Sequence, residues 1–261
     1  MLKKIKNNEK FIIRFKSNDN HNKKIIFHDE IKGDINIAEN DLDVVIIKSD
    51  VLPTYHFTHV VDDHFMKTTI AARGEEWISS LSIHVEMFNV LNWKTPKYVH
   101  LSLINKIDND NNHKLNKRKD PESSADFFFQ EGYPKEAVIN YLMSIANSNF
   151  EQWLSENQNF NFLEFPFFIH KINFDGELFD INKLNYFPNN FLSSLEANNI
   201  SKRIFEYANV YDQKLAYLIK KDFSYFAKIL NIERYKKNQE RIMLNILMIM
   251  KWLIFFIMMN I

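Results

Sequence analysis

The segment Lys114–Asp120, "KLNKRKD", carries four basic side chains in seven residues of a chain that has 33 Lys and Arg residues against 33 Asp and Glu. It follows the polar stretch "IDNDNNH" (residues 107–113), which we predict to be a loop. Ammonium groups on a loop can bind an anionic ligand such as a phosphate group. A solvated charge run without a ligand is the alternative that this loop alone leaves open.

A second group of candidate residues surrounds a predicted helix and the strand that follows it. Tyr55 and Arg73 bracket these two elements. A guanidinium at the carboxyl end of a strand can hold a carboxylate through two hydrogen bonds, and a structural salt bridge is the alternative.

Four side chains on the helix have offsets that could converge on a metal ion: His56, His59, Asp63 and His64. Such residues on a helix are more often solvated or hydrogen-bonded, so we predict no metal site there.

Composition excludes several other kinds of site. The chain has no cysteine, which excludes disulfides, thiolate zinc ligands and cysteine nucleophiles. A net charge of zero argues against a general field for polyanions, so nucleic acid would have to bind a local patch. Only four glycines are present, and neither GxGxxG nor GxxxxGK[ST] occurs.

The elements that position these residues alternate between strand and helix. We predict strands in "KKIIFHD", "DVVIIKSD", "KTTIAARG" and "YVHLSLI", and helices over residues 54–66 and 75–91. The apolar run Val44–Ile47 is typical of a strand buried on both faces. This alternation predicts a doubly wound sheet with ligands at the carboxyl ends of its strands, and the basic loop follows the last of them.

Beyond the basic loop the pattern becomes mainly helical. A helix is predicted to begin at Pro134 and to bury Val138, Leu142 and Ile145, with further helices over Leu192–Ala208 and Leu215–Leu230. A boundary is predicted between Asp110 and Pro121. The predicted organisation is an α/β unit over residues 1–112, the basic loop with a helical unit over 113–235, and a hydrophobic tail over 236–261.

In order and spacing these segments resemble the second half of the catalytic domain of bacterial glutamyl-tRNA synthetases, which are class I aminoacyl-tRNA ligases. The resemblance lies in "KSDVLPTYHFTHVVDDHFMKTTIAARGEEW", "YVHLSLI", "KLNKRKDPES" and "GYPKEAVINYLMSIANSNFEQW". The family reads KSDG.PTYHFA..VDDH.M..THVIRGEEW, followed by the KLSKR form of the class I lysine signature. Similarity covers about residues 10 to 235, and the succession of motifs is more specific than any one of them.

The resemblance implies a partial Rossmann-type catalytic domain followed by a mainly helical domain, and the ATP-dependent ligation of glutamate to tRNA. It implies three groups of site residues: Tyr55, His59 and Arg73 for glutamate and the adenylate, Glu76 and Trp77 for ATP, and Lys114 and Lys117 as the signature lysines. Of the two lysines, Lys117 is the stronger candidate for stabilising the pyrophosphate leaving group. The resemblance further implies ATP with Mg²⁺, tRNA(Glu) and glutamate as ligands, no protein-bound zinc, a monomer, and a cytoplasmic location.

The chain departs from the family pattern at several positions. Val51 stands where the family has glycine, so the turn is strained if that residue has a positive φ. Asn116 replaces the serine of KLSKR, and "IAARG" replaces HVIRG, which removes a histidine at Ile70 and core volume at Ala71 and Ala72. The HIGH signature is absent, because the chain starts after the part of the fold that carries it. We therefore expect this chain alone not to synthesise aminoacyl-tRNA.

The C-terminal segment Ile242–Ile261 is long and apolar enough to span a bilayer, although Lys251 near its middle opposes that interpretation. One choice of codons for residues 238–261, read from the third base, encodes PRKDNVKYSDDNEMVDFLYYDEY, which matches the family's expected continuation. We therefore favour a one-base deletion in the codons of Lys236 and Lys237, with an out-of-frame tail and no membrane association. Sequencing the gene around those codons tests this hypothesis.

Three alternatives follow from the same residues. A non-catalytic tRNA-binding fragment predicts a salt-dependent gel shift with tRNA that is lost when Lys114 and Lys117 are changed to Ala. A tail-anchored membrane protein predicts release from membranes when the segment Ile242–Ile261 is removed. A ligase that glutamylates a modified tRNA nucleoside is less favoured, because such enzymes generally lack the helical region seen here after Pro134.

Overall fold

A computed structural model describes residues 10–17, 23–108, 111–157 and 161–231 of the chain. The chain divides into two compact units. The first contains Met1–Leu103 and Phe168–Asp175, and the second contains Ile104–Phe167 and Gly176–Ile261. Each unit has hydrophobic cores of its own.

The first unit is built on a mixed four-stranded sheet. Its described strands are β1 Ile13–Phe15, β2 Lys24–Asp29, β3 Gly33–Ala38, β4 Val44–Ile47, β5 Ile70–Gly74 and β6 Lys97–Leu101. The sheet has the order β3-β2-β6-β5, in which β2 and β3 form an antiparallel hairpin while β6 runs parallel to both β2 and β5. The strands predicted in "KKIIFHD", "KTTIAARG" and "YVHLSLI" are therefore confirmed, and parallel strands end together at one edge of the sheet, as the α/β prediction requires.

Strand β4 differs from its prediction. It exists where the apolar run predicts it, but it pairs antiparallel with β1 in a separate two-stranded sheet, and all four of its residues are only half-buried. Val44 and Ile46, which share one face, pack against the core formed by α-helical residues such as Val60 and Phe88. The prediction of burial on both faces is wrong, because a single apolar layer covers this strand.

Two helices of the first unit are α1, Tyr55–Phe65, and α2, Leu81–Val90. Helix α1 confirms the prediction from Pro53, and Thr54 ties its start to β4 by donating from Oγ1 to the Val45 carbonyl over 2.8 Å. The second predicted helix begins as a 3₁₀ helix, Glu75–Ser80, and becomes α-helical only at Leu81. None of the six residues in the 3₁₀ turn is buried, whereas Leu81, Ile83, Met87 and Phe88 are, so packing enforces the α-helical period only in the second part.

The second unit begins with a hairpin that the polar sequence does not predict. Strand β7, Asn105–Asp108, pairs antiparallel with β8, Asn111–Lys114, where we predicted a loop. The backbone of Asn105 also accepts from Phe179 N over 2.7 Å and donates to Glu177 O over 2.9 Å. Main-chain pairing rather than burial of apolar side chains holds this hairpin, so hydrophobic periodicity gives no signal for it.

The rest of the described second unit is mainly helical. Its helices are α3 Ala125–Gln130, α4 Lys135–Ala146, α5 Asn149–Asn157, α6 Ile181–Ser194, α7 Ala197–Tyr211, α8 Gln213–Lys221 and α9 Phe223–Asn231. The predicted start of α4 after Pro134 is confirmed. The face of the helix that is buried is rotated from the predicted face. Ala137, Tyr141 and Ile145 are buried while Leu142 is 42% exposed. Tyr141 can be buried because its hydroxyl accepts from Asp180 N over 2.8 Å.

The two C-terminal helices that the sequence predicts are each divided in two. Leu195 and Glu196 are extended and separate α6 from α7. Asp222 separates α8 from α9, where its carboxylate accepts from Tyr225 N over 2.9 Å and so caps the new helix.

Within the described ranges, no helix has the length and apolarity needed to cross a membrane. The segment Ile242–Ile261 lies outside those ranges.

Candidate active site

The candidate site in the first unit is centred on Arg73, next to the last residue of β5. Tyr55 begins α1, His59 follows one helical turn later, and Trp77 lies in the 3₁₀ helix after β5. The rings of Tyr55 and His59 are stacked with centroids 6.2 Å apart, and those of Tyr55 and Trp77 are 4.7 Å apart. The structure thus brings these four predicted residues together at the carboxyl end of a parallel strand, where α/β proteins bind ligands.

Aromatic rings surround the Arg73 guanidinium. Its central carbon lies 5.4 Å from the Tyr55 ring centroid, 5.6 Å from Trp77 and 5.9 Å from Tyr98. Such cation–π contacts orient a guanidinium and exclude water from it. One nitrogen, Nη2, lies 2.5 Å from Nδ1 of His59. The other, Nη1, is buried and has no hydrogen-bond partner among the described residues. A carboxylate is the group that matches such a donor.

Three histidines beside Arg73 are neutral at pH 7. Burial, followed by the charge of Arg73, lowers the pKa of His59 to about 4 and also lowers the pKa of His56. Burial and the neighbouring His59 lower the pKa of His84 still further. His56 Nδ1 and His84 Nε2 are 3.0 Å apart and share a hydrogen bond. These imidazoles therefore add no positive charge to that of the guanidinium.

The same histidines form no recognisable metal site. In the part of the chain that the structure describes, no group of three or more His, Asp or Glu side chains is arranged to hold a metal ion. His64 instead stacks on Trp93 with ring centroids 3.9 Å apart.

Glu76 lies in the 3₁₀ helix beside Trp77 and is exposed. Its carboxylate folds back over Gly74 and occupies the space that a Cβ at that position would take. Glycine at position 74 therefore allows this close approach at the end of β5. The predicted role of Glu76 toward ATP remains a prediction.

Lys114 and Lys117 belong to the second unit. Lys114 ends β8, Lys117 lies in the following turn, and both are exposed. The turn closes on the buried Asp120, which accepts from Asn116 N over 2.8 Å. This backbone hydrogen bond, followed by the contact with His113, lowers the pKa of Asp120. A buried carboxylate thus organises the loop while its cationic side chains face solvent.

Asn116 shapes the same loop through its own side chain. Its Oδ1 accepts from Arg118 N over 2.8 Å, which forms an Asx turn. The replacement of the family's serine by asparagine is therefore compatible with an ordered loop.

The turn that leads into α1 is strained at Val51. This residue has a φ of 67°, in the left-handed region that β-branched residues rarely adopt. The turn is closed by hydrogen bonds from Val51 N to Lys48 O and from Lys48 N to Leu52 O. The expectation of strain where the family has glycine is confirmed.

The departures in β5 have smaller effects than the sequence suggests. Ala71 is buried beside Tyr98 in the core, so a smaller side chain there does reduce core volume. Ala72 is exposed, and Ile70 is 39% exposed. The predicted loss of core volume at Ala72 is therefore wrong, because that side chain points to the other face of the strand.

Sequence reasoning missed two residues that contact the site. Tyr98 lies 2.8 Å through its hydroxyl from His59 Nε2, and the His84 ring centroid lies 4.6 Å from that of His59. Tyr98 was seen only as a strand residue and His84 only as part of a helix. The position of Tyr98 in a predicted strand of the parallel sheet could have indicated its role. A tyrosine buried there usually has a hydrogen-bond partner for its hydroxyl.

Comparison with known proteins shows the family of the chain. The sequence profile of the family described as tRNA synthetases class I (E and Q), catalytic domain, matches residues 1–162 of the 261. A glutamate–tRNA ligase of Clostridium beijerinckii is 42% identical over 233 residues, which cover 89% of this chain and 42% of that protein. A glutamate–tRNA ligase of Acetivibrio thermocellus is 41% identical over 232 residues, with the same coverage of 89% and 42%.

A solved structure gives the same result for the fold. The glutamate tRNA ligase from Elizabethkingia meningosepticum, in complex with its amino acid, matches with a TM-score of 0.72 and 26% identity, covering 98% of this chain and 51% of that one. The parallel-strand sheet and the helices that follow it are those of a class I aminoacyl-tRNA synthetase catalytic domain followed by a helical part. The chain belongs to the class I tRNA synthetases for glutamate and glutamine. It spans 42% of the length of the curated relatives named above.

Proposed function

We propose that this chain carries the glutamate pocket and the phosphate-binding lysine loop of a glutamate–tRNA ligase. Arg73 binds a carboxylate of glutamate, and Tyr55 and His59 form the walls around it. Trp77, which contacts Tyr55, and Glu76 bind ATP, and Lys117 with Lys114 stabilises its phosphates. The names of the relatives support the reaction, and their 40% level of identity supports the choice of glutamate. The partner that receives the glutamyl group is tRNA(Glu), and a cytoplasmic location suits a chain without cysteine.

The observation that carries this proposal is the buried Nη1 of Arg73, which lacks a hydrogen-bond partner among the described residues. A buried donor left unpaired costs roughly 1–3 kcal/mol, and more when the group is charged. A ligand carboxylate removes that cost and forms a charge-assisted hydrogen bond. The histidines around Arg73 are neutral, so the guanidinium is the positive charge that they leave in the pocket. This charge favours a ligand with a carboxylate side chain, which is an acidic amino acid.

In a glutamate–tRNA ligase the reaction proceeds by in-line attack of the α-carboxylate of glutamate on the α-phosphorus of ATP, and we expect this chain alone not to complete it. The bond to the pyrophosphate breaks, and negative charge grows on the leaving group. Lysine ammonium groups on the loop stabilise this charge together with the Mg²⁺ that accompanies the nucleotide. The glutamyl group then passes to the terminal ribose of tRNA, which releases AMP. No protein-bound zinc is part of the proposal.

Calorimetric titration of the chain with L-glutamate tests the role of Arg73. We expect Arg73→Lys to weaken binding by roughly 10- to 100-fold, because the lysine cannot supply the second planar donor of a charged hydrogen bond. Arg203→Lys is the matched control, since Arg203 pairs with Glu136 in the second unit. Equal affinities for the wild type and the Arg73→Lys variant would contradict the proposal.

Titration with ATP and Mg²⁺ tests the lysine loop. We expect Lys117→Ala to reduce the affinity for ATP by roughly 5- to 10-fold, since the loss of one charged contact is worth about 1–1.5 kcal/mol at an exposed site. Lys119→Ala, which removes the same charge two positions later in the same turn, is the control. If both variants lose affinity equally, the loop acts as a diffuse charge and the specific role of Lys117 is wrong.

A further inference from the structure

Tyr98 is a fully buried side chain in the middle of the sheet, and its hydroxyl reaches the candidate pocket. It lies on β6, and its oxygen is 2.8 Å from His59 Nε2. His100 stacks on its ring at 5.8 Å with planes 5° apart, and Phe27 contacts it edge-on at 5.6 Å. The position of the hydroxyl is therefore restricted by packing of the Tyr98 ring against these two rings.

His100, the ring on which Tyr98 stacks, is itself held by a buried contact with Asp29. Asp29 Oδ2 accepts from His100 Nδ1 over 2.7 Å and from His100 N over 3.1 Å. The other oxygen of Asp29 accepts from the backbone nitrogens of Ile31 and Lys32. The Nδ1 end of the His100 ring, on which Tyr98 stacks, is thereby held by Asp29, while its buried Nε2 has no hydrogen-bond partner among the described residues.

The hydrogen bonds around His59 select one tautomer. A neutral imidazole carries a single N–H. Arg73 is always protonated and donates, so its Nη2 requires Nδ1 of His59 to be an acceptor, which places the N–H on Nε2, facing the Tyr98 oxygen. The other tautomer would set an Nδ1–H against the N–H of Arg73. Asp63 Oδ2 lies 2.8 Å from Nδ1 but has no hydrogen-bond partner among the described residues, so it does not favour that tautomer.

We propose that Tyr98 is a positioning residue of the glutamate pocket: by accepting the Nε2–H of His59 it keeps Nδ1 as the acceptor for Arg73 Nη2 and leaves Nη1 to bind the ligand carboxylate. The inference rests on the proposed function for the identity of the ligand. Its structural part, the control of the His59 tautomer, stands on the geometry of Tyr98, His59 and Arg73 alone.

Nitrogen-15 NMR of the histidine-labelled chain, without ligand, tests the structural part. The His59 resonance is identified by its loss in His59→Gln. In the wild type we expect the tautomer protonated at Nε2. In Tyr98→Phe, which keeps the ring and its stacking, we expect the tautomer protonated at Nδ1 to become populated, because the acceptor for Nε2–H is removed. Tyr141→Phe, which removes an equally buried hydroxyl in the second unit, should leave the His59 spectrum unchanged.

Calorimetry with L-glutamate on the same proteins tests the consequence for binding. Loss of one neutral hydrogen bond that orients Arg73 predicts an affinity reduced by roughly 2- to 10-fold in Tyr98→Phe, with no change in Tyr141→Phe. A wild-type His59 protonated at Nδ1, or a Tyr98→Phe variant with unchanged tautomer and unchanged affinity, would overturn the inference. If the tautomer responds as expected while the wild type fails to bind glutamate, the positioning role holds and the proposed ligand is wrong.

Discussion

At the scale of single residues, the site consists of one guanidinium surrounded by aromatic rings and neutral histidines, with the Asp63 carboxylate 2.8 Å from His59 Nδ1. Burial and Arg73 itself lower the pKa of His59 to about 4, so protonation of this histidine begins only in acid. Protonated His59 cannot accept from Arg73 at Nδ1. Glutamate binding should therefore be constant from pH 8 to about pH 5 and weaken below it, apart from the ligand's own titration.

Val51 is the residue with the most direct link between sequence and stability. A β-branched side chain in the left-handed region costs about 1–2 kcal/mol, while glycine costs roughly 0.5–1 kcal/mol through the entropy of the unfolded chain. We expect Val51→Gly to raise the free energy of unfolding by about 1 kcal/mol, measured by urea denaturation. Val51→Ala keeps a Cβ and should recover only part of that gain. A Val51→Gly variant less stable than the wild type would contradict the assignment of strain.

At the scale of elements, β2 and β6 are joined by the buried pair of Asp29 and His100. Hydrogen bonds from Lys32 N and His100 outweigh burial and lower the pKa of Asp29 from its usual value of 3.8. A carboxyl with a lowered pKa stabilises the fold fully above about pH 4 and loses that contribution as the pH falls through the native pKa. The link between these strands is therefore sensitive to acid.

Asp29→Asn tests this link. We expect it to reduce the free energy of unfolding by roughly 1–3 kcal/mol at pH 7, because hydrogen bonds to a charged group are lost inside the core. The difference from the wild type should shrink as the pH falls below about 4 and through the lowered native pKa of Asp29, where the wild-type carboxyl becomes protonated. Asp34→Asn, at an exposed carboxylate in the same hairpin, is the control and should have little effect at either pH. A constant difference across this range would show that the charge of Asp29 is irrelevant.

The elements also show what could be predicted from sequence. Helix α1 and strands β5 and β6 were predictable because apolar periodicity and Pro53 mark them locally. The β7–β8 hairpin was not, because its side chains are polar and its backbone pairs with residues near Phe179, far along the chain. Strand β4 was found, but its partner β1 was not, since strand pairing depends on non-local contacts.

The same distinction applies to the candidate site. Tyr55, His59, Arg73 and Trp77 were predicted as site residues from family motifs, and their mutual distances agree with a single pocket wall. Tyr98 is 39 positions from His59 and lies in the segment "YVHLSLI", which contributes to the resemblance but was given no site residue. Residues that act through a neighbour are visible only once the fold has brought them together.

At the scale of the whole molecule, the chain has two compact units, with the pocket residues in the first and the signature lysines in the second. The functional division at residues 112 and 235 remains a proposal. So does the out-of-frame origin of residues 236–261, which lie outside the described part of the chain. The account as a whole rests on Arg73 as the group that recognises glutamate.

The most direct test of that claim is the NMR spectrum of the Arg73 guanidinium in arginine-labelled chain during titration with L-glutamate. The resonances are identified by their loss in Arg73→Lys. We predict that L-glutamate shifts the Arg73 resonances with the same dissociation constant that calorimetry gives, while L-glutamine shifts them far less. Saturable glutamate binding that leaves the Arg73 resonances unchanged would contradict the account.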